Sequence, residues 1–210
     1  ETLDSSASDN DVLSADYYFN SLNASDGLII KNDSVIHLAN GVYNVNLSQS
    51  VKNVKIIGQD ASQTIIKNMA KESFNSYGTF TLINVTLDGA EIYNYGKLNA
   101  SNVIFTNGDG QEGLGSDQCG GAIYSNGNSY SVYLNNCSFY KNSARYGGAI
   151  YSSSGTLKIT NCKFINNNAS IGIIPLNIGI PISDNGTDAK SAIIIAITSS
   201  KGCICPISLF

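Results

Sequence analysis

The chain has 210 residues and a net charge of −4 at pH 7; 13% of its residues are charged, 20 are glycine and 26 are asparagine. This length suits one domain with flanking segments. A nucleic-acid-binding surface needs clustered lysine and arginine, so the acidic balance and the single arginine argue against DNA, RNA and anionic membranes as partners. Abundant glycine and asparagine predict short strands joined by tight polar turns.

Residues 1–16 are predicted to be a flexible lead-in because they are acidic and rich in serine. The chain starts at Glu1 rather than Met, and it contains eight Asn-X-Ser/Thr sequons. We therefore expect a removed leader and secretion of the chain. Residues 17–170 are predicted to form the folded domain, in which residues 14–22 cap an open end.

The first strands of this domain are predicted between Val35 and Ile66. Residues 35–45 read as a strand, a tight turn at Asn40-Gly41 and a second strand. Residues 54–58 and 64–66 read as two further strands on either side of a polar turn. No window in the chain offers a helical apolar stripe, so the class is predicted to be all-β.

Four segments share an asparagine followed by a small residue, a third residue that is polar in three of the four, and a large residue; this alternation has the period of a β-strand. They are Asn84-Val85-Thr86-Leu87, Asn102-Val103-Ile104-Phe105, Asn136-Cys137-Ser138-Phe139 and Asn161-Cys162-Lys163-Phe164. Asn53-Val54-Lys55-Ile56 reads as a fainter fifth copy. The small and large residues are predicted to point inward and the polar ones outward.

The last two copies belong to longer repeats that begin with Gly-Gly-Ala-Ile-Tyr-Ser at residues 120 and 147. Self-similar units of this length indicate a solenoid. A β-propeller needs about 40 residues per blade, and a leucine-rich repeat needs regular leucines. We therefore predict a parallel β-helix, in which strands stack about 4.8 Å apart.

Stacking places equivalent residues above one another, which predicts three columns. The asparagine column (Asn84, Asn102, Asn136 and Asn161) would form amide–amide hydrogen bonds at one corner; the alternative is that these residues only form turns. The two core columns are Val85, Val103, Cys137 and Cys162, and Leu87, Phe105, Phe139 and Phe164.

Five cysteines occur, and an odd number gives no simple disulfide framework. Cys137 and Cys162 would have Cβ atoms about 4.8 Å apart, wider than the roughly 3.5–4.5 Å of a disulfide. Both are predicted to be buried, reduced thiols. Cys203 and Cys205 have neither redox spacing nor partner ligands for zinc.

Two motif sets carry a resemblance to known families. Gly-Gly-Ala-Ile at 120–123 and 147–150, followed by Phe-X-X-Asn at 139–142 and 164–167, resembles the repeat of polymorphic outer-membrane proteins. Residues 35–43 and 51–66 resemble the adhesin-like surface proteins of methanogenic archaea. The resemblance covers roughly residues 12–170. It implies a right-handed parallel β-helix of the pectin-lyase type within a secreted, modular surface protein.

The pectin-lyase fold also hosts polysaccharide lyases and hydrolases, so the resemblance leaves catalysis open. A glycosidase needs two carboxylates facing one sugar, but Asp88, Asp109, Glu112 and Asp117 all fall in predicted turns. Arg145 is interpreted as a turn residue and His37 as a packing or surface residue. We expect no catalytic residues and no cofactor.

Residues 108–119 are interpreted as an inserted loop. Gly108–Gly113 matches Gly-X-Gly-X-X-Gly, but residues 114–121, with three glycines, cannot open the helix that a dinucleotide site requires. We expect no metal; the alternative is a calcium site formed by Asp109, Glu112 and Asp117. Residues 171–210, with all three prolines, are predicted to be capping strands or an unrelated tail.

These patterns favour a secreted, adhesin-like module that binds carbohydrate or a protein of a host or neighbouring cell through outer faces rich in Ser, Thr, Asn and Tyr. No membrane insertion is expected. Two alternatives stay open: a polysaccharide lyase or hydrolase, and a purely structural stalk of a larger surface protein.

Overall fold

The computed structural model describes residues 16–19, 30–45, 50–68, 73–110, 119–152, 155–170, 193–195 and 207–208. Within these residues the protein is all-β and contains no helix, which confirms the predicted class. The strands are β1 (Asp16–Phe19), β2 (Val35–Leu38), β3 (Gly41–Val45), β4 (Ser50–Gly58), β5 (Thr64–Asn68), β6 (Ser73–Ile83), β7 (Thr86–Asp88), β8 (Glu91–Ser101), β9 (Ile104–Thr106), β10 (Asp109–Gly110), β11 (Ile123–Ser125), β12 (Ser131–Asn135), β13 (Ser138–Tyr140), β14 (Ser143–Ala144), β15 (Ile150–Ser152), β16 (Thr156–Thr160), β17 (Lys163–Ile165), β18 (Asn168–Ala169), β19 (Ile193–Ile195) and β20 (Ile207–Ser208).

The described strands form three sheets. The largest has eleven strands in the order β1-β2-β4-β6-β8-β11-β15-β19-β20, with β12 pairing both β8 and β16. A six-stranded sheet follows the order β3-β5-β7-β9-β13-β17, and a three-stranded sheet the order β10-β14-β18. Every described pairing is parallel except that of β19 with β20.

From β2 to β11, strands that follow one another in the chain lie in different sheets. β2, β4, β6 and β8 lie in the large sheet, and each is followed by a strand of the six-stranded sheet. The turn at Asn40-Gly41 is therefore a corner between two sheets, and the Gly41 backbone N–H donates to the Gln63 carbonyl at 2.8 Å. Each pass of the chain through the sheets, called a layer below, adds one set of strands to the previous layer.

Gly78 and Gly96 face each other in the register of β6 and β8, and Gly78 has a left-handed backbone with φ 64°; we call this position the bend of the large sheet. A Cβ atom at Gly96 would lie 2.2 Å from the Gly78 carbonyl oxygen, so only glycine fits there. In the next layer the strand is split at this bend, because β8 pairs with β11 before it and β12 after it. We call the strand segments before the bend the first run and those after it the second run.

The core lies inside these layers and is built from the two predicted core columns. Val85, Val103, Cys137 and Cys162 are at most 3% exposed. The rings of Phe105 and Phe139 stack at 4.7 Å, and those of Phe139 and Phe164 at 4.8 Å, both with an interplanar angle of 6°. Leu87 is buried in the layer before Phe105 and is its register partner.

The interpretation of Asn53 as a fifth copy of the motif is wrong in register. β4 and β6 pair Lys52 with Tyr77 and Val54 with Phe80, with an irregularity between them, so Asn53 lies at the bend of the large sheet. Its amide oxygen accepts the Thr79 backbone N–H at 3.1 Å. A Cβ atom at Gly58 would instead lie 2.2 Å from the Asn84 carbonyl, so Gly58 precedes Asn84 at the corner.

Thr86 also departs from the expected outward position. It is 7% exposed, and its hydroxyl donates to the carbonyl of Ala61. Ala61 belongs to the turn between β4 and β5, which lies over this position. The alternation of the motif therefore continues through Thr86, but the neighbouring turn covers its outer side.

The predicted flanking segments are described only in part. Asp16–Phe19, within the segment expected to be a cap, forms a strand that pairs in parallel with β2. Asp109–Gly110, within the expected loop, pairs with Ser143–Ala144. Residues 1–15 and 111–118, including Glu112 and Asp117, and Cys203 and Cys205 lie outside the described residues, as does most of the tail from residue 171.

Candidate functional site

Five tyrosines of the first run and Tyr130, which directly precedes β12, form one connected cluster, and we call this cluster the tyrosine surface. Alternate side chains of a β-strand point to the same face of the sheet. The register places Tyr93, Tyr124 and Tyr151 in successive layers. Tyr77 and Tyr95 form a second pair beside them. The tyrosine surface comprises Tyr77, Tyr93, Tyr95, Tyr124, Tyr130 and Tyr151.

The ring centroids of this surface are spaced by about one layer. The distances are 5.0 Å between Tyr93 and Tyr124, 5.4 Å between Tyr124 and Tyr151, and 5.1 Å between Tyr77 and Tyr95. Edge-on contacts at 6.5 Å between Tyr93 and Tyr95, and at 6.0 Å between Tyr95 and Tyr130, join the columns.

This spacing decides what the rings present to a ligand. Tyr77 and Tyr95 are nearly parallel at 15°, as are Tyr124 and Tyr151 at 14°. Carbon atoms in contact are roughly 3.5–4.0 Å apart, so parallel rings with centroids beyond 5 Å must be offset from each other. An offset stack offers apolar ring area together with phenolic hydroxyls. The hydroxyl of Tyr124 accepts the Asn126 amide N–H at 3.0 Å.

The asparagine column lies at the corner where the large sheet passes into the six-stranded sheet. All four residues have left-handed backbones, with φ between 52° and 55°, a conformation in which asparagine is favoured over most side chains. The amide of Asn102 donates to Asn84 at 2.8 Å, and that of Asn136 donates to Asn102 at 3.3 Å. Asn161 has the same backbone conformation one layer further on.

A cleft of about 320 Å³ runs beside the asparagine column. Asp60 and Ser62 line one part of it, and Asn102, Asn136 and Lys163 line another. The Ser62 hydroxyl and backbone N–H both donate to Asp60 Oδ1 at 2.7 Å, and these bonds lower the pKa of that carboxyl. The cleft therefore combines amides with one carboxylate and one ammonium group, which suits a polar ligand.

Two buried asparagines were missed as a structural pair, although the Phe-X-X-Asn motif signals them. Asn142 and Asn167 are 1% and 6% exposed. The Asn142 amide donates to the Phe105 carbonyl at 3.0 Å, and that of Asn167 to the Phe139 carbonyl at 2.9 Å. In the layer of Phe105 the equivalent position is Gly108, whose N–H donates to Asn142 Oδ1 at 2.9 Å.

Cys137 and Cys162 are neighbours in the core, and the three described cysteines are all free thiols. The interaction with the Cys162 side chain, together with burial, raises the pKa of Cys137 far above its ordinary 9.0. The same interaction lowers the pKa of Cys162 to about 7 against the opposing effect of burial. The Cys137 backbone N–H contributes by donating to Cys162 Sγ at 3.3 Å.

Three of the residues considered for catalysis, Asp88, Asp109 and His37, lie in different sheets. Asp88 ends β7 and accepts the Asn107 amide N–H at 2.7 Å. Asp109 begins β10 and accepts the Ser143 hydroxyl at 3.1 Å. His37 lies in β2 of the large sheet, and the Arg145 guanidinium lies 5.4 Å from the ring of Tyr146. Asp88 and Asp109 therefore each accept a hydrogen bond from a side chain of a neighbouring layer.

Sequence reasoning did not single out Glu91, which is the one buried carboxylate among the described residues. It starts β8, is 8% exposed, and accepts the Ser73 hydroxyl at 3.3 Å. Its position next to the apolar Ile92 gives no sequence signal for burial.

Within the described ranges, no group of three or more His, Cys, Asp or Glu side chains is placed to hold a metal ion. The same ranges contain no helix long and apolar enough to cross a membrane. No family model, curated protein or solved structure matches the chain.

Proposed function

We propose that the chain is a non-catalytic binding module of an extracellular, adhesin-like surface protein, folded as a right-handed parallel β-helix. The ligand is a carbohydrate of a cell surface, bound through the tyrosine surface. The handedness and the extracellular location rest on the resemblance of the repeat motifs to those of surface proteins.

Three features support the β-helix. Parallel strands join the described layers through β19, and from β2 to β11 each strand lies in a different sheet from the strand before it. The phenylalanine rings stack layer upon layer, and left-handed residues recur at the same corners. This regularity is what a solenoid requires, because each layer buries its apolar face against the next.

The tyrosine surface is the observation that carries the binding proposal. The six tyrosines are in contact on the outer side of the sheet, and Tyr77 is 43% exposed. Aromatic rings with a polar tip are the groups that proteins favour in contact surfaces. Their spacing of 5.0–5.4 Å is close to the length of one sugar ring in an extended glycan.

The hydrogen bonds of the candidate acids support binding over catalysis. Asp88 and Asp109 each accept a hydrogen bond from a side chain of a neighbouring layer. A glycosidase requires two carboxylates about 5–10 Å apart that face one sugar ring. Carboxylates engaged in holding layers together fit a scaffold role better.

A glycan array probed with the full chain tests this proposal. We expect binding to a subset of glycans and about ten-fold weaker binding for each of Tyr124→Ala and Tyr151→Ala, because a central aromatic contact carries a large share of binding energy. Tyr140→Ala is the matched control, since Tyr140 is 37% exposed but lies in β13 of the six-stranded sheet.

The same samples separate the alternatives. Release of reducing ends or unsaturated sugars from an array hit would establish a polysaccharide-active enzyme and overturn the non-catalytic proposal. Absence of any glycan binding, with folding verified by circular dichroism, would overturn the carbohydrate proposal and leave a protein ligand or a structural stalk.

A further inference from the structure

The outer side of the second run carries a set of cationic side chains that the proposed function does not use. Lys55, Lys97 and Lys158 point outward from β4, β8 and β16, and Tyr133 of β12 lies among them. We call these four residues the lysine face. It adjoins the tyrosine surface across the bend at Gly96, but none of its residues belongs to that surface.

The lysines recur in every second layer. The register links Lys55 to Thr81, Thr81 to Asn99, Asn99 to Tyr133 and Tyr133 to Lys158. Lys97 is paired with Ser131, two residues along the same strand as Tyr133. Because adjacent strands are about 4.8 Å apart, the three ammonium groups are offset by about 10 Å per step along the stack.

Lys97 is held in place by the neighbouring ring. Its Nζ lies 5.2 Å from the centroid of Tyr133, which is 36% exposed. A cation over an aromatic face is attracted by the ring quadrupole, and this orders a side chain that is otherwise mobile. The positive charge is thereby positioned before any ligand arrives.

Five segments of the second run, residues 54–58, 79–83, 97–101, 131–135 and 156–160, together contain three lysines and neither aspartate nor glutamate. The register continues from Lys55 through Val35 to Asp16 at the start of β1, which places an acidic residue at the far end of this column. Asp33 lies at the bend, outside the second run, and accepts the Asn53 amide N–H at 2.8 Å. A groove of about 340 Å³ starts there; its lining includes Asp33 itself together with Lys55, Thr79 and Thr81.

We propose that the lysine face binds a linear polyanionic polysaccharide that carries one carboxylate or sulfate on alternate sugars. The step of about 10 Å between lysines is comparable to the length of one disaccharide in an extended chain. Between the lysines, Thr81, Asn99 and Tyr133 offer hydroxyl and amide groups that suit sugar hydroxyls. The polymer runs along the stack of layers, from the groove at Lys55 towards Lys158.

An acidic peptide segment is the competing occupant. Residues 1–29 of this chain contain six acidic side chains and no basic one. The polysaccharide is favoured because a lysine recurs in every second layer, with hydroxyl-binding groups in the layers between. A peptide would also be expected to use apolar pockets, and Tyr133 is the single large apolar group that projects from the lysine face.

Hyaluronan oligosaccharides, which have a carboxylate on alternate sugars, are the probe, and isothermal titration calorimetry with the full chain is the measurement. We expect binding that weakens as salt rises, since exposed charge pairs are screened. Lys97→Gln and Lys158→Gln should each weaken it by about three- to five-fold. Lys67→Gln is the control, because Lys67 is exposed on β5 of the other sheet.

Several outcomes overturn the proposal: no binding, equal binding to carboxyl-reduced hyaluronan, or an equal loss in Lys67→Gln. If neutralising Asp9 and Asp11 of the full chain is required before hyaluronan binds, the acidic segment occupies the face and the proposal is also overturned. Tyr124→Ala should leave hyaluronan binding unchanged, so this test and the glycan-array test fail independently.

Discussion

The side-chain amide of Asn142 joins three layers, because it donates to the Phe105 carbonyl at 3.0 Å and to Asn167 Oδ1 at 2.9 Å. Its own oxygen accepts the Gly108 N–H at 2.9 Å. Buried polar groups need such partners, since each one left without them costs about 1–3 kcal/mol. This connection explains why the repeat motif keeps an asparagine three residues after the phenylalanine.

Replacing Asn142 with alanine should lower the free energy of unfolding by about 2–4 kcal/mol, because the substitution leaves the Phe105 carbonyl and the Gly108 N–H without their partner. Urea unfolding followed by circular dichroism measures this loss. Asn135→Ala is the control, since Asn135 is exposed on β12. An equal effect of both substitutions would contradict the three-layer connection.

Asn102 tests the left-handed corner. Its φ is 55° and its amide donates to Asn84. Alanine at this position adds about 1–2 kcal/mol of backbone strain and also removes the side-chain hydrogen bond to Asn84. Glycine removes the same hydrogen bond but adopts the left-handed conformation without strain. The free energy of unfolding should therefore be highest for wild-type Asn102, lower for the glycine variant and lowest for the alanine variant. A glycine variant less stable than the alanine variant would contradict the left-handed conformation of this corner.

Phe139 lies between Phe105 and Phe164 in the stacked core. Phe139→Ala should destabilise the protein by about 3–5 kcal/mol, because it removes buried area and leaves a cavity between two rings. Phe139→Leu should cost less, since most of the volume stays filled. Thermal unfolding of both variants measures the difference, and a negligible loss in Phe139→Ala would place Phe139 outside the core.

The pKa shifts of Cys137 and Cys162 predict how the free energy of unfolding changes with pH. The pKa of Cys162 falls from 9.0 to about 7 on folding, so the unfolded chain holds this proton more tightly than the folded protein does. The stabilisation that follows is therefore complete above pH 9 and is lost as pH falls through 7. The pKa of Cys137 is raised, so its contribution is lost as pH rises above 9. The free energy of unfolding should therefore rise between pH 7 and 9 and fall beyond pH 9.

Cys137→Ala should remove most of that rise, because Cys162 loses the thiol that lowers its pKa. Denaturant unfolding between pH 6.5 and 9.5, compared with the wild type, measures the effect on the scale of about 1.4 kcal/mol per unit of pKa. Cys119→Ala is the control and should keep the rise. A Cys137–Cys162 disulfide found by mass spectrometry would contradict the account of two reduced thiols.

The repeated columns could be predicted from the sequence because stacking places like over like. The phenylalanines at 105, 139 and 164 are such a case, since the Asn-led motif gives their strand, register and inward direction together. The corner asparagines follow from the same motif. In both cases a short local pattern determines the contact.

Other positions could not be predicted because they depend on where the chain bends. Asn53 matches the motif but lies at the bend of the large sheet, opposite glycine rather than asparagine. Thr86 is covered by a turn that lies 25 residues earlier in the chain. Layer lengths also vary: 18 residues separate Asn84 from Asn102, and 34 separate Asn102 from Asn136. Sequence spacing alone therefore does not give the register.

The tyrosine surface could not be predicted from the sequence for a related reason. Tyr124 and Tyr151 share a repeat motif, but Tyr93 has only the sequence Ile-Tyr-Asn around it, and Tyr77 belongs to a different column. Their contact becomes visible only when the layers are in register. Tyrosine on the outer faces was expected, whereas one connected cluster was not.

The central claim is that this cluster is the binding surface, and nuclear magnetic resonance of ¹³C-tyrosine-labelled protein tests it most directly. The full chain is titrated with the glycan that binds most tightly in the array, and ring signals are assigned by single Tyr→Phe variants. The account predicts shifts for Tyr77, Tyr124 and Tyr151 and none for Tyr140. Shifts confined to Tyr140, or no ring shift at saturating glycan, would contradict it.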